Sequence, residues 1–429
     1  MLRLLFVLTI LIIGLYAALR NPFYAVLLYI WNAYFRPEDW VWIDFIRNLN
    51  LSYIIGCYLV GVTLLFEKRI VINARIGLIV LFLAHTFLCA LLSEHFDYSW
   101  LYWLEFLKII TITYMMILHI DDFVKFRLIL LTIALSLGLE ASKQGWFYLL
   151  TSPGSPNSNP IAFLGDNNSV AVGMLMLVPI IALLAQTTPK RWACLFYWTI
   201  LIGVLYRALS TYSRGGFLAC IAIGSAYIIY SQKKFRAFFA MIIIMVIVLP
   251  LLPDVFWNRI NTIQTYEEEK ETSALGRLHF WQVALEMARA HPFLGVGYNS
   301  YNLSYDDYDF SQGNYGRQRA PHNSLFAVLA ELGYPGLVLY MLIILSAFMA
   351  CFKVRRVTAT ASLPLHFSQS AAALSTSLLA FLVGGFFLTL QYQEMVWHLF
   401  GLTIVLAKLT ERHTSESTTN DLLKPGLAA

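Results

Sequence analysis

Charge is what this sequence has least of. Of its 429 residues 13% are Asp, Glu, Lys or Arg, 59% are hydrophobic, and mean hydropathy is +0.66. A soluble domain carries about a quarter charged residues, so the composition excludes an ordinary soluble fold and implies an integral membrane protein. Strand-like alternation over short segments is also missing, which excludes a transmembrane barrel. There is no Walker or GxGxxG loop to bind a nucleotide. The first apolar run, Leu4 to Ala18, lacks a small-residue cleavage site and reads as a first span. The five cysteines (Cys57, Cys89, Cys194, Cys220, Cys351) form neither a CxxC pair nor a disulfide framework, so packing roles are expected. His279 and His291 stand alone and DDYD (306–309) lacks calcium-loop spacing, so neither a metal nor a cofactor is expected.

Long apolar runs are abundant, and runs of about 17 to 25 residues cross a bilayer as helices. Spans are expected near 3–19, 49–66, 74–92, 100–118, 127–149, 167–185, 192–209, 212–230, 236–252, 323–350, 370–389 and 393–409. Every second connection is basic (Lys68, Arg69 and Arg75; Lys125 and Arg127; Lys190 and Arg191; Lys233, Lys234 and Arg236; Lys353, Arg355 and Arg356), which marks the cytoplasmic side and puts both termini there. The expected architecture is an all-α polytopic membrane protein of about twelve spans. A nine-span bundle (1–252) precedes a large periplasmic loop domain (253–321), three more spans (322–410) and a cytoplasmic tail (411–429). Segment 20–48, rich in Trp and Tyr, reads as an interfacial or re-entrant piece on the outer side. Within the loop, 271–297 predicts an amphipathic helix. Ser273 would be its N-cap, Leu278, Trp281, Leu285 and Ala288 its apolar stripe, and Pro292 its stop.

In this register the notable polar residues collect at the outer surface. Arg207 and Arg214 bracket the turn in YRALSTYSRGGF (206–217), Lys143 and Gln144 lie toward the outer end of their span, and Arg277 falls in the first turn of the loop helix. Guanidinium groups are shaped for bidentate phosphate binding, and a helix N-terminus favours an anion. A phosphate or pyrophosphate at headgroup depth is the expected ligand, and a polyprenyl-pyrophosphate sugar would supply anion and chemical energy together. His322 opens the tenth span, where the helix dipole disfavours the imidazolium and keeps a neutral ring able to accept a proton. Blander roles stand beside these. Arg207, Arg214 and Lys143 would snorkel, Arg277 would pair with EEEKE (267–271), and His322 would only cap a helix. His85 is expected to make a bundle hydrogen bond, Glu105 and Lys108 an internal pair, and the stretch around 306–309 a solvated loop.

Three stretches carry a family resemblance: SRGGFLA (213–219), GRLHFWQVALEMARAHPFLGVGYNSY (276–301) and PHNSLFAVLAELGYPGL (321–337). They resemble the arginine-glycine turn, periplasmic helix and HN-S-L…E-G…G helix of the O-antigen ligase superfamily. That group includes lipopolysaccharide O-antigen ligases, O-antigen polymerases and protein O-oligosaccharyltransferases. NPFYAVLLYIWNAYFRPEDW (21–40) is more loosely similar to ligases found with exosortase-type surface systems. The resemblance implies a GT-C-like membrane fold in the bacterial inner membrane. The implied reaction is metal-independent, inverting glycosyl transfer from undecaprenyl-pyrophosphate-linked glycan to a hydroxyl, with lipid A–core as acceptor and no nucleic acid involved. Arg214 and Arg277 would bind pyrophosphate and His322 would be the base; Arg207 and Lys143 join the anion site on their position in the register. Asn323, Gln144 and Tyr301 are candidates for orienting substrate. A growing glycan or a protein Ser or Thr are alternative acceptors. A polyprenyl-glycan transporter is the alternative of another class, although no internal repeat supports it.

Overall fold

The computed structural model describes residues 2–41, 44–231, 233–236, 238, 239, 242 and 274–422. Its helices are α1 (Leu2–Arg20), α2 (Phe23–Phe35), α3 (Pro37–Trp40), α4 (Asp44–Arg47), α5 (Leu51–Phe66), α6 (Ala74–Leu91), α7 (Phe96–His119) and α8 (Phe123–Thr151). They continue with α9 (Asn167–Gln186), α10 (Arg191–Leu209), α11 (Arg214–Tyr230), α12 (Ala274–Ala290), α13 (Tyr301–Tyr308), α14 (Ser324–Thr360), α15 (Leu365–Gly385) and α16 (Glu394–Leu422). Among the described residues the only strand-like pairing is an isolated bridge between Ile161 and Gly165. Seven of these helices (α1, α6, α7, α9, α10, α14 and α15) are long and apolar enough to cross a membrane. The chain is a polytopic, all-helical membrane protein. The expected span 236–252, the acidic run 267–271 and Ser273 lie wholly or almost wholly outside the described residues.

Helix starts follow local chemistry. Asp122, Asp166, Ser213 and Asn323 each accept a hydrogen bond from an amide of the first turn that follows, satisfying donors that no helical carbonyl reaches. α9 is the innermost helix, packed against α8, α10, α11 and α15. Lys125 and Arg127 mark one end of the bundle, where Lys125 pairs with Asp121 and Arg127 donates to Thr187 and Thr188. His322 marks the other.

The segment 20–48 departs from its expected place. α2 is inside the bundle, packed on α1, α5, α7 and α8, with Tyr29, Ile30, Asn32 and Tyr34 all buried. Its Phe23 lies beneath the Lys125 ammonium at 5.6 Å, while Tyr34 hydrogen-bonds His398 Nδ1 at 3.0 Å. α1 therefore runs antiparallel to α2, and Arg3 meets the Trp40 carbonyl. The chain enters α1 at the His322 end, not at the basic end. Aromatic rings suit a headgroup layer and a packed interior equally well, and here they pack.

α14 breaks in its second turn and a half. Gly333 has φ +66°, and Pro335 has no N–H to donate. The groups this frees find new partners: Val296 N donates to Ala330 O, Tyr334 N to Pro292 O, and His85 Nε2 to Leu332 O at 2.8 Å. The break thus receives the PFLGVG element (292–297) that follows α12. α12 itself buries Phe280, Val283, Ala284 and Met287 against Tyr301 and Tyr305. The buried stripe is turned from the expected one, and Leu278 is exposed. Trp281 donates to the Pro321 carbonyl at 3.1 Å and stacks on Phe326, fixing α12 against the start of α14.

Candidate functional site

The turn between α15 and α16 organises this end of the molecule. Ser324 Oγ donates to Leu388 O and accepts from Leu390 N, and Asn323 Nδ2 donates to Phe386 O. Asn323 Oδ1 caps α14 through the amides of Leu325 and Phe326. Asn323 is fully buried and spends its amide on the fold, which is the capping role rather than substrate orientation. His322 precedes it with φ +47°, a left-handed conformation that His adopts more readily than most residues. Its side chain stays exposed, with its ring 6.4 Å from that of Phe280.

Phe387 sits between those anchors. The Arg277 guanidinium lies 5.5 Å over its ring, and a Cβ on Gly215 would come within 3.1 Å of the Phe387 Cβ. The missing side chain of Gly215 lets α11 approach this closely without displacing Phe387. Arg214, the exposed first residue of α11, is adjacent. One turn therefore holds the two arginine-bearing helix starts and the histidine-bearing one.

The His322 pKa lies below the ordinary histidine value. Burial of the ring's surroundings is the main cause and the Arg277 charge the next, with Arg319 adding to it and Asp166 opposing. Asp166 was not recognised in the sequence. Its carboxylate caps α9 through the amides of Asn168 and Ser169, and it presents a negative charge to the histidine.

The other expected site residues are elsewhere or engaged. Arg207 is wholly buried, and each of its three nitrogens donates to protein: Nε to Gln144 Oε1 (2.9 Å), Nη1 to Asn157 O (3.1 Å) and Nη2 to Asn159 O (2.5 Å). It pins the loop 152–160 to α8 and α10 instead of standing open at the surface. Gln144 is its partner, also bonded to Glu140, and Lys143 pairs with Glu140 on the exposed face of α8. Tyr301 is buried, its hydroxyl donating to Phe280 O at 2.7 Å, and burial raises its pKa. The stretch 306–309, expected as a solvated loop, is instead the last turn of α13 and its C-cap, and its acids order the chain that follows. Asp309 accepts from Ser311 N, Gly313 N and His279 Nε2, and these bonds hold its pKa low against the push of burial. His279 is thus paired and not alone, and His291 bonds the Tyr308 hydroxyl. Among the described residues no group of three or more His, Cys, Asp or Glu is placed to hold a metal ion.

Glu331, within the quoted motif but given no role, is buried beneath the site. It accepts from Tyr392 OH at 2.9 Å and Gln391 Nε2 at 3.4 Å, and from the backbone amides of Asn299 and Tyr301. One carboxylate thereby ties the loop before α13 to the turn before α16. The signal available in sequence was an acid inside an apolar helix, which is costly unless paired.

A family model described as O-Antigen ligase matches residues 195–341, the stretch that holds Arg214, Arg277 and His322. A second model, a family of unknown function, matches residues 1–186. No curated protein matches the chain. Residues 195–341 are thus similar to the O-antigen ligase superfamily, in agreement with the three stretches that carry the resemblance.

Proposed function

We propose that this protein transfers a glycan from undecaprenyl pyrophosphate to a sugar hydroxyl of lipid A–core at the periplasmic face of the bacterial inner membrane. The observation that carries the reading is the turn at 386–390. It binds the helix behind His322 through Asn323 and Ser324, and Phe387 packs against both Arg277 and the start of α11 at Arg214. A proton acceptor and two cations meet at the end of the bundle where a membrane-anchored pyrophosphate would arrive.

In this mechanism Arg214 and Arg277 hold the pyrophosphate. The acceptor oxygen forms a bond to the anomeric carbon as the bond from that carbon to phosphate oxygen breaks, with inversion. The hydroxyl proton passes to His322, and undecaprenyl pyrophosphate leaves with the bonding pair, its charge stabilised by the arginines. Asp166 supports the protonated ring that forms. Arg207, held by Gln144, acts from behind, keeping the loop 152–160 in place, and Lys143 stays paired with Glu140 on the face of α8; the donor is bound by Arg214 and Arg277. No metal or cofactor takes part in the scheme, as the family resemblance implies.

Purified protein, given undecaprenyl-pyrophosphate glycan and lipid A–core with EDTA present, is expected to form linked product. Product only when a second glycan or a peptide replaces lipid A–core would keep the chemistry and change the acceptor. No transfer to any hydroxyl by folded protein would overturn the reading.

A further inference from the structure

A second site opens at the same end of the bundle, in the half of the chain whose family has no assigned function. Helices α2, α5 and α7 and the start of α16 enclose a cavity of about 370 Å³, within the range of small-molecule sites. Its charged lining is balanced: Arg36, Arg47 and Lys108 face Glu38, Glu105 and Glu394. Lys108 and Glu105 are ion-paired. That balance does not suit a pyrophosphate, and the polarity does not suit a lipid chain.

Several groups at the cavity have hydrogen-bonding capacity left over. Asn32 is 1% exposed, and neither its Nδ2 nor its Oδ1 has a partner among the described residues. Glu38 Oε2 and Gln393 Nε2 are likewise buried without a hydrogen bond among the described residues, and Glu394 Oε1 has only His398 Nε2 at 3.8 Å. Buried polar groups are normally satisfied, and unsatisfied ones call for a ligand or ordered water. The set includes an amide that offers donor and acceptor together, a second amide donor and two carboxylate acceptors. Vicinal hydroxyls, each both donor and acceptor, answer that pattern with no net charge. Tyr53, half-exposed in the lining with the Lys108 ammonium 5.1 Å over its ring, offers an aromatic edge for a pyranose, and Phe163, stacked on Tyr34, adds an apolar wall.

We infer that this cavity binds an uncharged, polyhydroxylated sugar unit of one of the two glycan substrates. The inference rests on the glycan-transfer reading above, and the geometry connects the two sites. Gln393 and Glu394 follow directly on the turn that holds His322 and Arg277, and Phe163 is three residues before Asp166. A glycan with one residue in the cavity would be directed toward the base.

The test is saturation-transfer NMR on the purified protein in nanodiscs. One probe is the oligosaccharide released by mild acid from the undecaprenyl-pyrophosphate donor, and the other is core oligosaccharide freed of lipid A. One of the two is expected to bind, which identifies whether donor or acceptor occupies the cavity. Gln393→Ala and Asn32→Leu are expected to weaken it about tenfold, the loss of roughly one hydrogen bond, while His322→Ala still binds. In transfer assays Gln393→Ala should raise KM for that substrate alone, with kcat and the pH profile kept. If Asn32→Leu does not fold, Glu38→Gln takes its place. Binding of neither saccharide, or binding unchanged in the folded variants, would reduce the cavity to a water-filled hollow. Binding by a protein that transfers nothing would overturn the proposed function and leave this site standing.

Discussion

The two matched segments, 195–341 and 1–186, use polar residues in opposite ways. In the first, Arg214 and His322 stand exposed beside Arg277, gathered by one turn at the mouth of the bundle. In the second, Asn32, Lys108 and their neighbours are enclosed, with charge balanced by charge. Same-sign cations next to a histidine suit a charged leaving group and a proton. A charge-balanced lining with spare hydrogen-bond capacity suits recognition. On the proposed reading, reaction and selection would be built from different parts of the chain and would meet at a shared end.

The largest effect that would sharpen this contrast is at the histidine. His322→Ala is expected to lower the transfer rate by roughly 10²- to 10⁴-fold without changing the thermal midpoint, because the side chain is exposed. An equal loss of kcat in a folded Gln393→Ala protein would break the contrast. Arg214→Gln and Arg277→Gln should each cost about 10²-fold in kcat, as removed transition-state donors do. Arg207→Met belongs to another class. It leaves the carbonyls of Asn157 and Asn159 without their donor, so stability should fall by about 1–3 kcal/mol, read by thermal unfolding, while residual activity keeps its pH profile. The smallest effect is at Asp166→Asn, which keeps the cap but removes the charge that raises the His322 pKa. The acid limb of the rate profile should then move to lower pH.

Much of the reactive end was legible in the sequence because helix starts have local signatures. The Pro292 stop lies where a breaker belongs, just after α12 ends at Ala290, and the helix start at His322–Asn323 falls where it was expected; the cap at Ser213 was not recognised in the sequence. The organising turn was not legible, because it acts through the carbonyls of Phe386 and Leu388, which no side-chain motif advertises. Arg207 misled by its type and spacing. An arginine seven residues from Arg214 looks like a second anion ligand until its three bonds to protein are seen. The α2 segment misled by composition, since Trp and Tyr mark an interface or fill a core with equal ease. The cavity was invisible for a plainer reason. Its residues come from six helices (α2, α3, α4, α5, α7 and α16) and connecting loops separated by hundreds of positions, and only the packing of α2 inside the bundle assembles them.

The most direct test of the central claim is the pH dependence of transfer by wild type and by Arg277→Gln. A surface-reaching base whose pKa is lowered by its buried surroundings and by the Arg277 charge stays unprotonated, and competent, to below the ordinary histidine value near 6.5. The wild-type rate should therefore fall with acid only below that value. Removing the Arg277 charge eases protonation, so the limb should shift to higher pH while the rate at its plateau drops. A limb that stays in place in Arg277→Gln, with His322→Ala still active, would contradict the account: the arginine and the histidine would not share a site.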